Sequence, residues 1–127
     1  MTYIHGMIDI DDFGNYNFQN TFEKGNNVLK GINEILQLNI EPIEWKKLDG
    51  DEFLFTVEGS FDEHTKALTS AMVSVYNDYG LTLSLGLIEL EEKKEWKDTI
   101  AELRGNLFTA KIQGKNKICI SYEICTD

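Results

Sequence analysis

A chain of 127 residues offers one domain and no more, and 42% hydrophobic with 11% aromatic residues is enough to bury a core without disulfide or metal staples. The formal charge is -10, from 22 acidic against 12 basic residues, and Arg104 is the single arginine. That balance weighs against direct binding of DNA or RNA, because affinity for polyphosphate backbones comes from clustered Lys and Arg. It leaves room for one phosphate-rich ligand held by a few lysines and a divalent metal.

Neither a basic leader nor a long apolar run opens the chain at Met1–Gly6, so the expectation is no signal peptide, no membrane span and a cytoplasmic location. Cys119 and Cys125 match no metal or redox spacing and read as reduced thiols. One proline and no repeat or low-complexity stretch argue against a linker or a second module.

In chain order, residues 3–10 are apolar with β-branched members and end on Asp9, the pattern of a buried strand. After a turn-like patch at Asp11–Asn15, Phe22, Val28, Leu29, Ile32 and Leu36 recur at helical spacing and predict a helix over 18–38. Gly25 inside it marks a break or a close contact, since glycine costs about 1 kcal/mol relative to alanine there. Two strands follow at 42–48 and 52–58, joined by Asp49-Gly50-Asp51, a strong hairpin signal. Ser60 and Glu63 form a capping box for a helix whose buried stripe is Leu68, Ala71, Met72, Val75, Tyr76 and Tyr79 and whose stop is Gly80. Leu81, Leu83, Leu85 and Leu87 alternate with small residues, a strand with one apolar face. Trp96, Ile100, Leu103 and Leu107 give another helix, ending at Gly114, and 117–124 closes the chain as a strand. The order β-α-β-β-α-β-α-β predicts a ferredoxin-like α+β domain, with an antiparallel sheet and helices on one face.

Three features converge in that topology. Asp9 stands at the end of the first strand, Asp51 and Glu52 stand at the hairpin beside it, and Lys111 and Lys115 lie four apart at a helix end. Two carboxylates plus a backbone carbonyl suit Mg²⁺, which takes few protein oxygens and shares the rest with phosphates. Two lysines on one helix face would grip a triphosphate. Taken singly these are a solvated turn, an exposed strand end and a helix-dipole complement; taken together they read as a nucleotidyltransfer site.

The motifs Met7-Ile8-Asp9-Ile10-Asp11-Asp12-Phe13 with Asn17, Leu48-Asp49-Gly50-Asp51-Glu52-Phe53, Leu83-Ser84-Leu85-Gly86 and Ala110-Lys111-x-x-Gly114-Lys115-Asn116 follow one another as in GGDEF domains, the palm-fold cyclases that make cyclic dinucleotides. The resemblance covers residues 3–121. It implies Asp9, Asp51 and the Ile10 carbonyl as ligands of Mg²⁺ or Mn²⁺, with Glu52 assisting at the metal or activating the attacking hydroxyl. It further implies backbone amides of Phe13 and Gly14 on the phosphates, Gly50 of the hairpin against the nucleotide, Asn17 on the base, and Lys111 and Lys115 on the triphosphate.

The departures carry information as well. Asp49 replaces the first glycine of the signature, Gly14 replaces a lysine, no arginine precedes the hairpin to form the inhibitory product site, and the first strand begins at residue 3 with no leader helix ahead of it. The acidic residue that reads guanine falls at Asn26. A carboxylate only accepts, whereas an amide both donates and accepts and so suits adenine. The pattern resembles the minimal CRISPR polymerases of Panoptes-type anti-phage defence. That implies condensation of two NTPs, ATP foremost, into a cyclic dinucleotide of the cyclic di-AMP type by a homodimer, with a separate effector sensing the product. A diguanylate cyclase and a non-catalytic nucleotide-binding module are the alternatives.

Overall fold

The computed structural model describes residues 1–48 and 50–123; Asp49, Cys125 and the last residue expected of the closing strand, Ile124, lie outside the described residues. In chain order the elements are β1 (Tyr3–Ile10), α1 (Phe13–Gln19), α2 (Phe22–Ile40), β2 (Glu44–Lys47), β3 (Glu52–Glu58), α3 (Phe61–Tyr79), β4 (Leu83–Leu90), α4 (Trp96–Ile112) and β5 (Ile118–Glu123). The α+β palm architecture is therefore present. The helix expected over 18–38 is α2, and a separate short helix, α1, divided from it, starts at Phe13 inside the patch expected as a turn. The division falls at Asn20–Thr21, where the Thr21 hydroxyl caps α2 by accepting from the Lys24 amide at 3.1 Å. Gly25 is the expected close contact instead of the break: a Cβ there would overlap Asn17 Oδ1.

The strands form one sheet in the order β2-β3-β1-β4-β5. β1 lies in the middle, antiparallel to β3 and β4, and β2 is antiparallel to β3. β5 runs parallel to β4, which corrects the expectation of an all-antiparallel sheet. Parallel neighbours need a crossover, and the 17-residue α4 supplies it.

Helices cover both faces of the sheet, which corrects the one-face expectation. Ile4, Ile8, Phe53, Phe55, Leu83 and Leu85 pack beneath α2 and α3 through Ile32, Leu36, Leu68 and Val75. On the opposite face Met7, Leu54, Ile88 and Leu90 pack beneath Leu103 and Leu107 of α4. β4 is consequently buried on both sides from Leu83 to Ile88. Gly86 makes the second layer fit: a Cβ there would stand 2.5 Å from the Leu107 amide nitrogen and 2.6 Å from the Leu103 carbonyl oxygen.

Ser60 caps α3 as predicted, accepting from the Glu63 amide, and Gly80 ends it in the left-handed region at φ 68°. Tyr76 is 58% exposed, not part of the buried stripe, because it sits one position past Val75 and is turned about 100° from it around the helix. No described helix is long and apolar enough to cross a membrane.

Candidate active site

Side chains alternate across a strand, so Asp9 shares with Met7 the face of β1 that lies under α4. The sheet register sets Glu52 of β3 on one side of it and Ser84 of β4 on the other. Pairing continues into the turn before β3, where the Ile10 amide donates to the Asp51 carbonyl at 3.3 Å. This main-chain link seats the hairpin against the end of β1, close enough for the charge of Asp9 to act on the Asp51 carboxyl.

The electrostatics of that pair are distinctive. Burial pushes the Asp51 carboxyl up to about 6, and the negative charge of Asp9 pushes the same way. The Asp51 backbone and Lys111 oppose the shift only in part. Asp9 is 9% exposed, and its Oδ1 is buried without a hydrogen-bond partner. Its Oδ2 pairs with Lys111 Nζ. Two crowded carboxylates, one carrying an orphaned buried oxygen, want a cation between them.

Among the described residues no group of three or more His, Cys, Asp and Glu side chains is arranged to hold a metal by itself. Two carboxylates and the Ile10 carbonyl nevertheless fit Mg²⁺ or Mn²⁺, which completes its shell with water and substrate oxygens. The donor set is compatible with the ion, and Asp9 Oδ1 is the atom it would satisfy.

The remaining predicted residues fall as follows. Asp9, Glu52 and Lys111 line one cavity of about 250 Å³ with Arg104, Leu107 and Phe108. Phe13 is buried at the start of α1 and stacks on Tyr16 at 5.7 Å, whereas Gly14 is exposed with open space around it. No side chain caps α1, since Asp12 at the cap position turns its carboxylate to Lys115 at 2.6 Å. Gly50 is exposed at φ 76°, the left-handed turn geometry that favours glycine. Asn17 is exposed and abuts Gly25 across the α1–α2 junction. Asn26 does not share the carboxylate cavity; it lines a cleft of about 240 Å³ between α2 and β2 with Leu29, Lys30, Asn33 and Lys47.

Lys111 and Lys115 do not share a helix face, contrary to expectation. α4 ends at Ile112, and Lys115 lies past it at φ 64°. They still converge on the end of β1, Lys111 onto Asp9 and Lys115 onto Asp12. The Lys115 amine is held above its ordinary pKa, first by its hydrogen bond to Asp12.

Sequence reasoning passed over two groups here. Arg104 sits seven residues before Lys111, hence on the same side of α4, and reaches Glu52 at 3.5 Å. Asp11 is buried and accepts three hydrogen bonds. Heptad spacing from Lys111 pointed to the first; nothing local distinguished Asp11 from the exposed Asp12.

No protein-family model and no curated protein matches the chain. Solved structures match it in shape. The diguanylate cyclase SiaD of Pseudomonas aeruginosa, solved with its activator SiaC, superposes at TM-score 0.82 with 22% identity over 94% of this chain and 50% of that one. The GGDEF domain of DgcB from Caulobacter crescentus, in complex with c-di-GMP, gives 0.81 at 17% identity over 94% and 77% of the two chains. The fold is that of GGDEF domains. An active GGEEF domain of a Vibrio cholerae diguanylate cyclase agrees, at 0.75 and 21% identity over 98% and 85%. The chain spans half the length of SiaD, so the likeness is one of domain architecture. In this GGDEF-like fold the first strand and the hairpin meet as the motifs anticipated.

Proposed function

We propose that this chain is a metal-dependent nucleotidyltransferase that condenses two nucleoside triphosphates into a cyclic dinucleotide, releasing pyrophosphate. The observation that carries the reading is the meeting of Asp9 and Asp51 around the buried, unpartnered Asp9 Oδ1, with Lys111 and Lys115 at the same end of β1. A bound Mg²⁺ or Mn²⁺ supplies charge neutralisation at the phosphate and a lowered pKa for the attacking hydroxyl. Asp9, Asp51 and the Ile10 carbonyl are the residues that would hold it.

The rest is done by the chain's own groups. Lys111 and Lys115 would exchange their carboxylate partners for triphosphate oxygens, and the amides of Phe13 and Gly14, at a helix start that no side chain caps, are the proposed donors to the phosphates. A ribose hydroxyl oxygen bonds to the α-phosphorus, the bond to the β-phosphate oxygen breaks, and pyrophosphate leaves. Glu52, next to Asp9 in the register and paired with Arg104, is the proposed acceptor of the hydroxyl proton or an assistant at the metal. Two such transfers close the ring. Each chain holds one nucleotide, so a second copy must present the other, and a twofold homodimer follows. What supports a partner surface is apolar exposure beside the cavity, with Phe108 64% and Ile112 67% exposed on α4.

ATP is the proposed substrate, because Asn26 offers both a donor and an acceptor where a guanine reader offers acceptors only. The second reading, a diguanylate cyclase, is favoured by the solved neighbours, which are diguanylate cyclase domains. The finer assignment, a minimal CRISPR polymerase acting in anti-phage defence with a separate effector that senses its product, is carried by the sequence motifs alone.

The test is incubation of the purified protein with each NTP and Mg²⁺ or Mn²⁺, with products identified by mass spectrometry. Cyclic di-AMP that disappears in Asp9→Ala, with the fold intact by circular dichroism, supports the proposal. Cyclic di-GMP transfers it to the second reading. Nucleotide binding without any product makes the domain a binding module, and turnover by Asp9→Ala refutes the site.

A further inference from the structure

Asp11 has no part in the chemistry above, yet its carboxylate collects three donors from two other elements. It lies just past β1, between Ile10 and Asp12, and is 2% exposed. Its Oδ1 accepts from the Ser84 hydroxyl at 2.6 Å. Its Oδ2 accepts from the Thr82 hydroxyl at 2.7 Å and from the Asn116 backbone N–H at 2.9 Å. Its own N–H donates to the Thr82 carbonyl at 2.9 Å. Thr82 and Ser84 flank the start of β4, whereas Asn116 belongs to the turn after α4, 105 residues along the chain.

That turn passes through three successive left-handed residues, Gly114 (φ 117°), Lys115 (φ 64°) and Asn116 (φ 53°). Glycine takes such angles freely, but lysine and asparagine hold them only where the surroundings over-determine the backbone. From the helix side the turn is tied by Lys115 N–H to the Ala110 carbonyl (3.1 Å) and Gly114 N–H to the Lys111 carbonyl (3.3 Å). From the strand side it is tied by Asp11. Lys115, caught between the two anchors, directs its amine over the end of β1 to Asp12.

We propose that Asp11 is a positioning residue: its carboxylate ties the Lys115 turn to the metal-binding end of β1. The ligands Asp9 and Ile10 and the phosphate-gripping Lys115 thereby keep a fixed separation. The proposal rests on reading the site as one for a nucleoside triphosphate. Asp9 and Asp11, two residues apart, thus divide the work. Asp9 keeps a buried oxygen free for a cation, while Asp11 commits its oxygens to the protein.

The test is a double-mutant cycle on Asp11→Ala and Lys115→Ala, read as ATP affinity in Ca²⁺ by titration calorimetry. Each single change should weaken binding about tenfold or more, the scale of a lost charge-assisted hydrogen bond. The double variant should bind within about twofold of Lys115→Ala, because Asp11 acts through that lysine. Additive losses would overturn the proposal. Asp11→Asn separates positioning from metal binding and serves if Asp11→Ala does not fold. Its amide oxygen still accepts from Thr82 and Asn116 while its NH₂ turns to Ser84, so ATP and Mn²⁺ binding should stay within about threefold of wild type. Loss of Mn²⁺ affinity in Asp11→Asn would make Asp11 a ligand instead. A nucleotide-free readout is hydrogen exchange at the Asn116 amide, which should be slow in wild type and Asp11→Asn and fast in Asp11→Ala. A wild type that binds no triphosphate defeats the proposed function, whereas unchanged Asn116 protection in Asp11→Ala defeats the tie itself.

Discussion

Gly86→Ala tests whether α4 sits on the sheet as closely as the cavity beside Asp9 requires. The added methyl would meet backbone, not a side chain that can rotate away: Leu107 N at 2.5 Å, Leu103 O at 2.6 Å and Asn106 C at 3.1 Å. Ordinary carbon contacts begin near ~3.5 Å, so α4 must rise by roughly 1 Å over this strand. Overpacking of that kind costs about 1–3 kcal/mol. At about 2.1 cal/mol/K of unfolding entropy per residue, a chain of 127 residues loses about 4 °C of Tm per kcal/mol. The expected drop is therefore about 4–11 °C in a thermal melt followed by circular dichroism. Lys111 rides on α4, so the same variant should also bind ATP more weakly at temperatures where it remains folded. Gly105→Ala on the same helix is the control: its Cβ meets nothing within 4 Å, and it should stabilise by about 0.5–1 kcal/mol. A Gly86→Ala protein that melts within a degree of wild type would refute the close seating of α4.

Other expectations concern the charged groups. With Asp51 at about 6 instead of 3.8, the metal-free native state holds more protons than the unfolded chain between those values. The stability of wild type relative to Asp51→Asn should therefore fall as pH rises from about 4 to about 6, with denaturant melts as the readout. A difference that grows with pH would show the carboxyls are not crowded. Lys111→Met should weaken triphosphate affinity about tenfold or more by calorimetry, and unchanged affinity would remove Lys111 from the site. Asn26→Asp should move the ATP-to-GTP preference toward GTP by about tenfold, measured by competition between the two nucleotides. An unmoved ratio would show that Asn26 does not read the base.

The element order was legible because hydrophobic periodicity and punctuation are local. The β1 run, the hairpin, the Ser60–Glu63 cap and the Gly80 stop need only near neighbours in sequence, and each stands where it was expected. The layering was less legible. Leu83, Leu85 and Leu87 read as one apolar face, but Ser84 and Gly86 proved to be a second buried face, small because the α4 backbone lies against it. Alternation reports polarity and not how near a helix comes. The pairing of Lys111 with Lys115 failed for a related reason: i, i+4 spacing implies a shared face only while the helix lasts, and α4 ends between them.

By itself the sequence determined which residues carry charge at the end of the first strand and at the hairpin, and it set the order of elements that lets them meet. Only the tertiary structure decided which partners reach each of them. Asp9 and Asp11 stand in one short acidic run, and charge and hydropathy alone do not separate them. Long-range packing leaves Asp9 Oδ1 buried and unpartnered, while it surrounds Asp11 with Thr82, Ser84 and the Asn116 amide. A carboxylate's role follows from the donors that reach it, and these donors come from β4 and from a turn more than a hundred residues away.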